Sequence, residues 1–413
     1  MIKFNAQKIA KYCDLVCFAG LLLTAFYIPV AITPTNIGIC LSIVAFLVKK
    51  IVTRDPHLIE GDLTFLIPLF FIFAFITTSN AIDMKAVKTG SLKMLKYLAI
   101  FAVVSSGIRT PKRLKMIIWA FVFGALLVSV DGIVQFFAGK DFIRFFPAEY
   151  GNPLDGIGGQ FKRMKASFHN SQDFASYLAV AVPLLLGLFR YGSYQKKQKI
   201  LLGITLAVSL YCLVFTYSRG AALALLFAVI FFTIAMKDKI ILPVILILGV
   251  AAPFVLAKSP LTWVTSRHSF IELFTDSSRL QHWQAAVNMI KAHPFMGIGL
   301  NNFCANYDKF KSSGDFFSGW YAHQTYLQMA AEIGLIGLGI FLAIIIVSII
   351  RWVKILPLIK DREIKTISFA LFAGMMGFLI AGLLDSNLQY SNLAVLFWLV
   401  FSLFYRIKNI QEN

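Results

Sequence analysis

Long apolar runs dominate the chain, and polar residues gather in the gaps between them. A membrane-crossing helix needs about 20 mostly apolar residues. Candidates fall near 13–31, 35–52, 63–82, 89–107, 116–138, 172–189, 200–217, 219–236, 240–258, 323–350, 366–386 and 391–406. Very short turns join the paired runs within 13–52 and within 200–236, and Lys93 and Lys96 interrupt the run at 89–107. The pattern predicts an all-α integral membrane protein of about twelve transmembrane helices, built as a single polytopic domain over 1–413.

The gaps give the spans a direction. With the N-terminus placed in the cytoplasm, alternate gaps hold 23 of the 39 basic residues, among them Lys49, Lys50, Arg109, Arg113, Lys196, Lys197, Arg351 and Lys365. Cytoplasmic loops collect lysine and arginine in this way. Both termini are therefore expected in the cytoplasm. Two long segments then fall outside, a smaller loop at 139–171 and a large one at 259–322 expected to contain short helices. Long segments in a compact membrane protein are usually functional or structured.

Composition agrees. Of 413 residues, 58% are hydrophobic and only 14% charged, against about 25% charged in soluble domains. A soluble protein is excluded. The net charge of +19 would suggest nucleic acid in a soluble chain, but the cytoplasmic loop bias accounts for it, so no nucleic-acid partner is expected. Cys13, Cys17, Cys40, Cys212 and Cys304 form neither a zinc spacing nor a disulfide framework. The first apolar run lacks a small-residue cleavage site and is expected to stay as a helix.

The outer segments carry the candidate chemistry. Arg219, in the tight turn Thr216-Tyr217-Ser218-Arg219-Gly220, sits at or just below the outer surface. A charge at membrane depth costs about 2.5–3.5 kcal/mol, so Arg219 points to an anionic partner. Lys162, Arg163 and Lys165 oppose the charge bias of an outer loop and suggest a basic surface for phosphate, although such exceptions also occur without function. In the large loop, Asp276, Ser277 or Ser278 can cap a helix whose apolar stripe is Trp283, Ala286, Val287 and Ile290, ended by Pro294. This reads as an amphipathic helix at the membrane surface, with Arg279 in its first turn. Arg279 either contacts solvent and lipid phosphate or binds something specific. Gly297 and Gly299 read as turn glycines rather than a phosphate loop, since the lysine and hydroxyl of that motif are absent. His323 follows Trp320 and Tyr321 at the mouth of the next span. It suits general-base work near neutral pH, or it simply hydrogen-bonds at the interface. No Asp-x-Asp or His-rich metal site lies outside, and no metal or cofactor is expected.

External arginines with one histidine suggest stabilisation of a phosphate leaving group beside a base. The order Ser218-Arg219-Gly220, Ser278-Arg279 with Trp283 and Ala286, His293-Pro294 with Gly297 and Gly299, Asn302-Phe303, then Ala322-His323 with Tyr326-Leu327 and Gly334 resembles the O-antigen ligase and polymerase superfamily, most of all the ligases. The motifs span roughly 160–345. The resemblance implies an inverting, metal-independent glycosyltransferase in the bacterial inner membrane, with its active site facing the periplasm. The donor would be a glycan on undecaprenyl diphosphate and the acceptor a sugar hydroxyl of lipid A-core. By motif, Arg219 and Arg279 would hold the diphosphate and His323 would take the acceptor proton. Arg163, Lys165, Trp283 and Tyr326 are the further substrate-binding candidates, and Asp173 or Asp385 could orient an acceptor hydroxyl. Gln324 stands where the family usually has asparagine.

Two alternatives share the donor: O-antigen polymerase, and protein O-oligosaccharyltransferase with a serine or threonine acceptor. A secondary transporter is the rival from another class. It would use ionisable residues near the midplane, for which Asp131, Glu332, Lys93 and Lys96 are candidates.

Overall fold

The computed structural model describes residues 2–59, 63–151, 161–237, 277–312 and 319–411. Helices occupy the expected apolar runs wherever these are described, and only the run at 240–258 lies outside the described residues. In chain order they are α1 (Ile2–Tyr27), α2 (Ile32–Thr53), α3 (Leu66–Ile76), α4 (Met84–Gly107), α5 (Pro111–Ala138), α6 (Ser171–Tyr191), α7 (Lys196–Phe215) and α8 (Arg219–Ala235). Then come α9 (Ser277–Ala292), α10 (Phe303–Phe310), α11 (Thr325–Ile355), α12 (Arg362–Ala381) and α13 (Ser391–Gln411). Among the described residues, 7 helices are long and apolar enough to cross a membrane, and shorter apolar helices lie at Leu66–Asn80, Arg219–Ala235 and Ser391–Ile407. The lysine-bearing α4 is in neither group. The smaller outer loop departs from the all-α expectation: β1 (Glu149–Gly151) and β2 (Phe161–Arg163) pair antiparallel, with Tyr150 opposite Lys162.

The chain forms two compact units. One comprises Met1–Gly124, Gln281–Lys365 and Leu388–Asn413; the other comprises Ala125–Leu280 and Thr366–Asn387.

In the first unit α1 and α2 pack as a close hairpin. A Cβ on Gly20 would sit 2.5 Å from the Gly38 carbonyl, and one on Gly38 would sit 2.7 Å from the Gly20 carbonyl. Ser42 Oγ donates across the pair to the Cys17 carbonyl at 3.0 Å. Small residues four apart on each helix let backbones touch where lipid supplies no hydrophobic drive. Behind the hairpin, aromatic rings tie α3, α11 and α13 together: Phe70 with Phe341 at 5.8 Å, and Phe71 with Trp398 at 5.2 Å.

Helix α11 is broken. Gly334 has φ 71° and ψ 174°, a region open essentially to glycine alone. The break frees backbone carbonyls, and the 294–299 segment answers them. Ile298 N donates to the Ala331 carbonyl at 2.9 Å, Gly299 N to the Glu332 carbonyl at 3.0 Å, and Leu335 N to the Pro294 carbonyl at 2.8 Å. Gly297, at φ 66°, is pressed so close that a Cβ would lie 2.5 Å from the Glu332 carbonyl. The glycines are there for close packing, as turn glycines should be. Asn302 completes the seam, its Oδ1 accepting from Ile82 N and Asp83 N at 3.1 and 2.8 Å.

In the second unit α6 packs against α7, α8 and α12. The smaller outer loop is held from below by two buried residues of α5. Asp131 Oδ1 accepts from Phe142 N and Ile143 N at 2.9 and 3.2 Å. The Gln135 amide donates to the Ala166 carbonyl at 3.1 Å and accepts from Lys165 N and Ala166 N. Asp131, a candidate transport carboxylate by sequence, thus anchors backbone amides of this loop.

Candidate functional site

In the second unit a basic cluster forms around the α7–α8 turn. Ser218 caps α8, its hydroxyl accepting from Ala221 N at 3.4 Å, so Arg219 is the first residue of the helix. A helix N-terminus favours anions through its unpaired N–H groups and dipole. The preceding turn is tight, with Tyr217 at φ 54°. Arg163 braces it: Nε and Nη2 donate to the Thr216 carbonyl at 3.1 and 2.9 Å. The same guanidinium pairs with Glu149 across the hairpin at 3.4 Å, and Glu149 in turn accepts from Ser171 N and Oγ at 2.6 and 2.9 Å. Burial holds the Arg163 pKa below its ordinary value, Glu149 draws it back up, and the charge of Arg279 pushes it down again. Arg279 is therefore within electrostatic reach of Arg163. Burial also raises the Tyr217 phenol, with Arg163 opposing. Lys165 extends the basic surface, its Nζ over the Phe146 ring at 5.6 Å and donating to the His169 carbonyl at 3.4 Å. Asp173, one of the possible orienting carboxyls, is 3% exposed near the start of α6.

In the first unit His323 stands just before α11, at φ 51°. That left-handed backbone is uncommon for a side-chain-bearing residue, and such strain gathers at sites where the surroundings over-determine it. The surroundings here can be named. Gln324 caps α11, its side chain accepting from Leu327 N at 2.5 Å. On the other side, Ala322 N donates to Gln328 Oε1 at 2.6 Å, and Gln328 Nε2 donates to Glu332 Oε1 at 2.8 Å. Phe303 N and Gln389 Nε2 also donate to the Glu332 carboxylate, each at 3.4 Å. Glu332, weighed by sequence as a transport carboxylate, is the buried end of a chain of hydrogen bonds that fixes the backbone beside His323.

The His323 ring meets the ring of His282 edge to face, with centroids 5.2 Å apart and planes at 88°. His282 is 5% exposed and lies against Tyr307 at 5.1 Å. This corrects the expected apolar stripe of α9. The face turned inward is His282, Ala285, Ala286 and Met289, packed with Ile298, Phe303, Tyr307, Ala322 and Ala331. The stripe is rotated by about one residue, and α9 turns that face into the protein. Trp283 and Ile290 are only partly buried. The enclosed indole N–H of Trp283 has no acceptor among the described residues, which leaves it as a donor for a bound group. Tyr326, in the first turn of α11, is also partly buried.

Sequence reasoning passed over His282, Gln328 and the bracing role of Arg163. A histidine on an otherwise apolar helix face, three residues before Ala285, was the available signal for the first. The other two are marked only weakly, Gln328 by its spacing four residues before Glu332, because each also binds a backbone group, the Ala322 amide or the Thr216 carbonyl.

No curated protein matches the chain. Residues 204–342 match the family model described as O-antigen ligase, a stretch of about a third of the chain that takes in Arg219, Arg279 and His323. Over that stretch this membrane protein is similar to the O-antigen ligase family.

Proposed function

We propose that the protein is an O-antigen ligase, an inverting and metal-independent glycosyltransferase. It moves a glycan from undecaprenyl diphosphate to a sugar hydroxyl of lipid A-core at the periplasmic face of the bacterial inner membrane. Its about twelve spans leave both termini in the cytoplasm. The observation that carries the reading is His323, held in left-handed backbone with its ring fixed against His282.

In this reaction His323 takes the proton from the acceptor hydroxyl as that oxygen attacks the anomeric carbon. The bond from that carbon to the diphosphate breaks, and the leaving group departs as an anion. It needs no proton donor, but it needs positive charge. Arg219 and Arg279 supply it, with the α8 N-terminus adding its dipole. Arg163 and Lys165 add to the field, Arg163 chiefly by bracing the Arg219 turn. Trp283 and Tyr326 offer aromatic surface and donors for the substrates. His282 and Tyr307 hold the base in its working orientation.

The membrane setting favours an enzyme over a transporter. The carbonyls at the α11 break are answered by backbone N–H groups of the 294–299 segment, whereas a coupling-ion site would leave such carbonyls open to the ion.

The test is transfer by purified protein given undecaprenyl-diphosphate glycan and lipid A-core in a chelating buffer. Glycan on lipid A-core is expected, with a loss of about 10²–10⁴-fold in His323→Ala, the range for a general base. Longer chains on the carrier instead would make the protein a polymerase. Glycan on a serine or threonine would make it a protein O-oligosaccharyltransferase. Near-normal transfer by a folded His323→Ala protein would remove the base role.

A further inference from the structure

Two lysines of α4 have no place in the transfer reaction. Lys93 and Lys96 lie within an apolar run, where a charge costs about 2.5–3.5 kcal/mol and is by default a functional pointer. Each is only partly exposed. Lys96 is served by neutral acceptors, donating to Ser391 Oγ at 2.7 Å and towards Asn36 Oδ1 at 3.5 Å. Among the described residues Lys93 has a single long hydrogen bond, to the Gln389 carbonyl at 3.4 Å, and an ammonium has three N–H groups to place. Neither lysine has a carboxylate within ion-pair distance among the described residues. Glu332 is near enough for its charge to reach Lys93, but its oxygens already accept from Gln328, Phe303 and Gln389. The local account is two buried cations against one carboxylate that is already engaged.

Lys93 lines a cavity inside the first unit, bounded by α3, α4, α11, α13 and the Leu300–Asn301 turn. The cavity proper is about 60 Å³, and it widens to about 690 Å³ when the open space at its mouth is counted. Along α11 its lining includes Thr325, Met329, Glu332, Ile333 and Phe341, on both sides of the Gly334 break. The walls are of two kinds: Asn301, Gln389, Glu332 and Lys93 are polar, whereas Phe70, Phe341 and Trp398 form an aromatic group, the Phe341 and Trp398 centroids 5.8 and 6.3 Å from that of Phe70. A site that joins a polar, cationic wall to an aromatic one matches an amphiphile of the same polarity.

We propose that this cavity binds an anionic amphiphile, with one hydrocarbon chain along Phe70, Phe341 and Trp398 and a phosphate at Lys93 Nζ. The ligand supplies the negative charge that the two lysines lack and fills the unused N–H groups of Lys93. The site belongs to the first unit alone, and its occupancy is read without glycan transfer, so it stands or falls apart from the ligase reading. A phosphate-headed chain has two sources in a bacterial membrane, a bulk phospholipid or a polyprenyl phosphate carrier.

The test is native mass spectrometry of the purified full chain, titrated with lysophosphatidylglycerol and lysophosphatidylcholine of equal chain length. The parent should retain one anionic lipid with at least tenfold preference over the zwitterionic one. Lys93→Gln should abolish the preference and Lys93→Arg should keep it. Met94→Trp, which fills the cavity and leaves Lys93 in place, should lower binding of both lipids at least tenfold with an unchanged melting temperature. Polyprenyl phosphate that displaces the bound lipid at equimolar amounts identifies the carrier as the source; failure to displace identifies bulk phospholipid. No preference in the parent, an equal preference in Lys93→Gln, or unchanged binding in Met94→Trp overturns the proposal.

Discussion

At the scale of single residues, the backbone at His323 and at the turn before Arg219 is set by neighbouring side chains. His282 meets the ring of His323 itself. If its ring fixes the orientation of the base, His282→Ala should lower kcat at least tenfold with donor and acceptor KM unchanged, while His282→Phe, which keeps an aromatic ring between Tyr307 and His323, stays within about threefold. An equal loss in both variants, or a loss carried by KM, would point away from ring positioning. Removing the Arg163 guanidinium leaves Glu149 with its Ser171 bonds but takes both side-chain donors from the Thr216 carbonyl. The Arg163–Glu149 pair is only partly buried, so Arg163→Ala should lower the melting temperature in detergent modestly, through the lost brace. Arg219→Ala should instead leave melting nearly unchanged and cut transfer about 10²–10³-fold, the usual scale for one lost donor to developing charge. That contrast separates the brace from the ligand-binding cation. Sequence alone ranked Arg163 as a substrate contact because charge in an outer loop is visible in a sequence and a carbonyl partner is not.

At the scale of elements, the apolar runs announced their helices, and α5, α6, α7 and α12 lie within a few residues of expectation. The departures have physical causes. The β1–β2 hairpin has three-residue strands, too short to show an alternating pattern. The stripe of α9 is displaced from expectation because Trp283 and Ile290 are as apolar as Ala285 and Met289, so apolarity alone does not tell which set joins the cluster with Ala322 and Ala331. The break in α11 was marked by Gly334, yet a lone glycine in an apolar run does not distinguish a break from a packing site. Gly334→Ala places a Cβ about 2.1 Å from the Phe295 carbonyl, on top of backbone strain of about 1–3 kcal/mol. It should destabilise the protein sharply by thermal denaturation. Gly339→Ala, five residues on in open space, should be neutral or slightly stabilising, since alanine outranks glycine in a helix.

At the scale of the whole molecule, membrane character and the similarity of residues 204–342 to the O-antigen ligase family were legible from hydropathy and motif order. The cavity beside Lys93 was not, since its walls come from helices far apart in sequence; only the cost of the two lysines hinted at it. Orientation can be checked with a native reporter. Cys304 is exposed on α10, in the segment expected outside. A membrane-impermeant maleimide should label Cys304 in cells whose outer membrane has been permeabilised. A cysteine introduced at Lys197, in a single-cysteine background, should react only after lysis. Labelling of the Lys197→Cys protein from outside would invert the topology and move His323 away from the periplasm.

The seam between α11 and the 294–302 segment also constrains engineering. The segment supplies the amides that close the helix break, and Asn302 binds it to the start of α4. Its amides and the carbonyls they satisfy form one interlocked part. A chimera that grafts this outer segment from a relative, in the hope of importing a new sugar preference, should fail to fold unless the donor's own turn at Gly334 and its counterpart of Ile82-Asp83 travel with it. The transplantable module is therefore three strips of sequence, and the loop alone is not one.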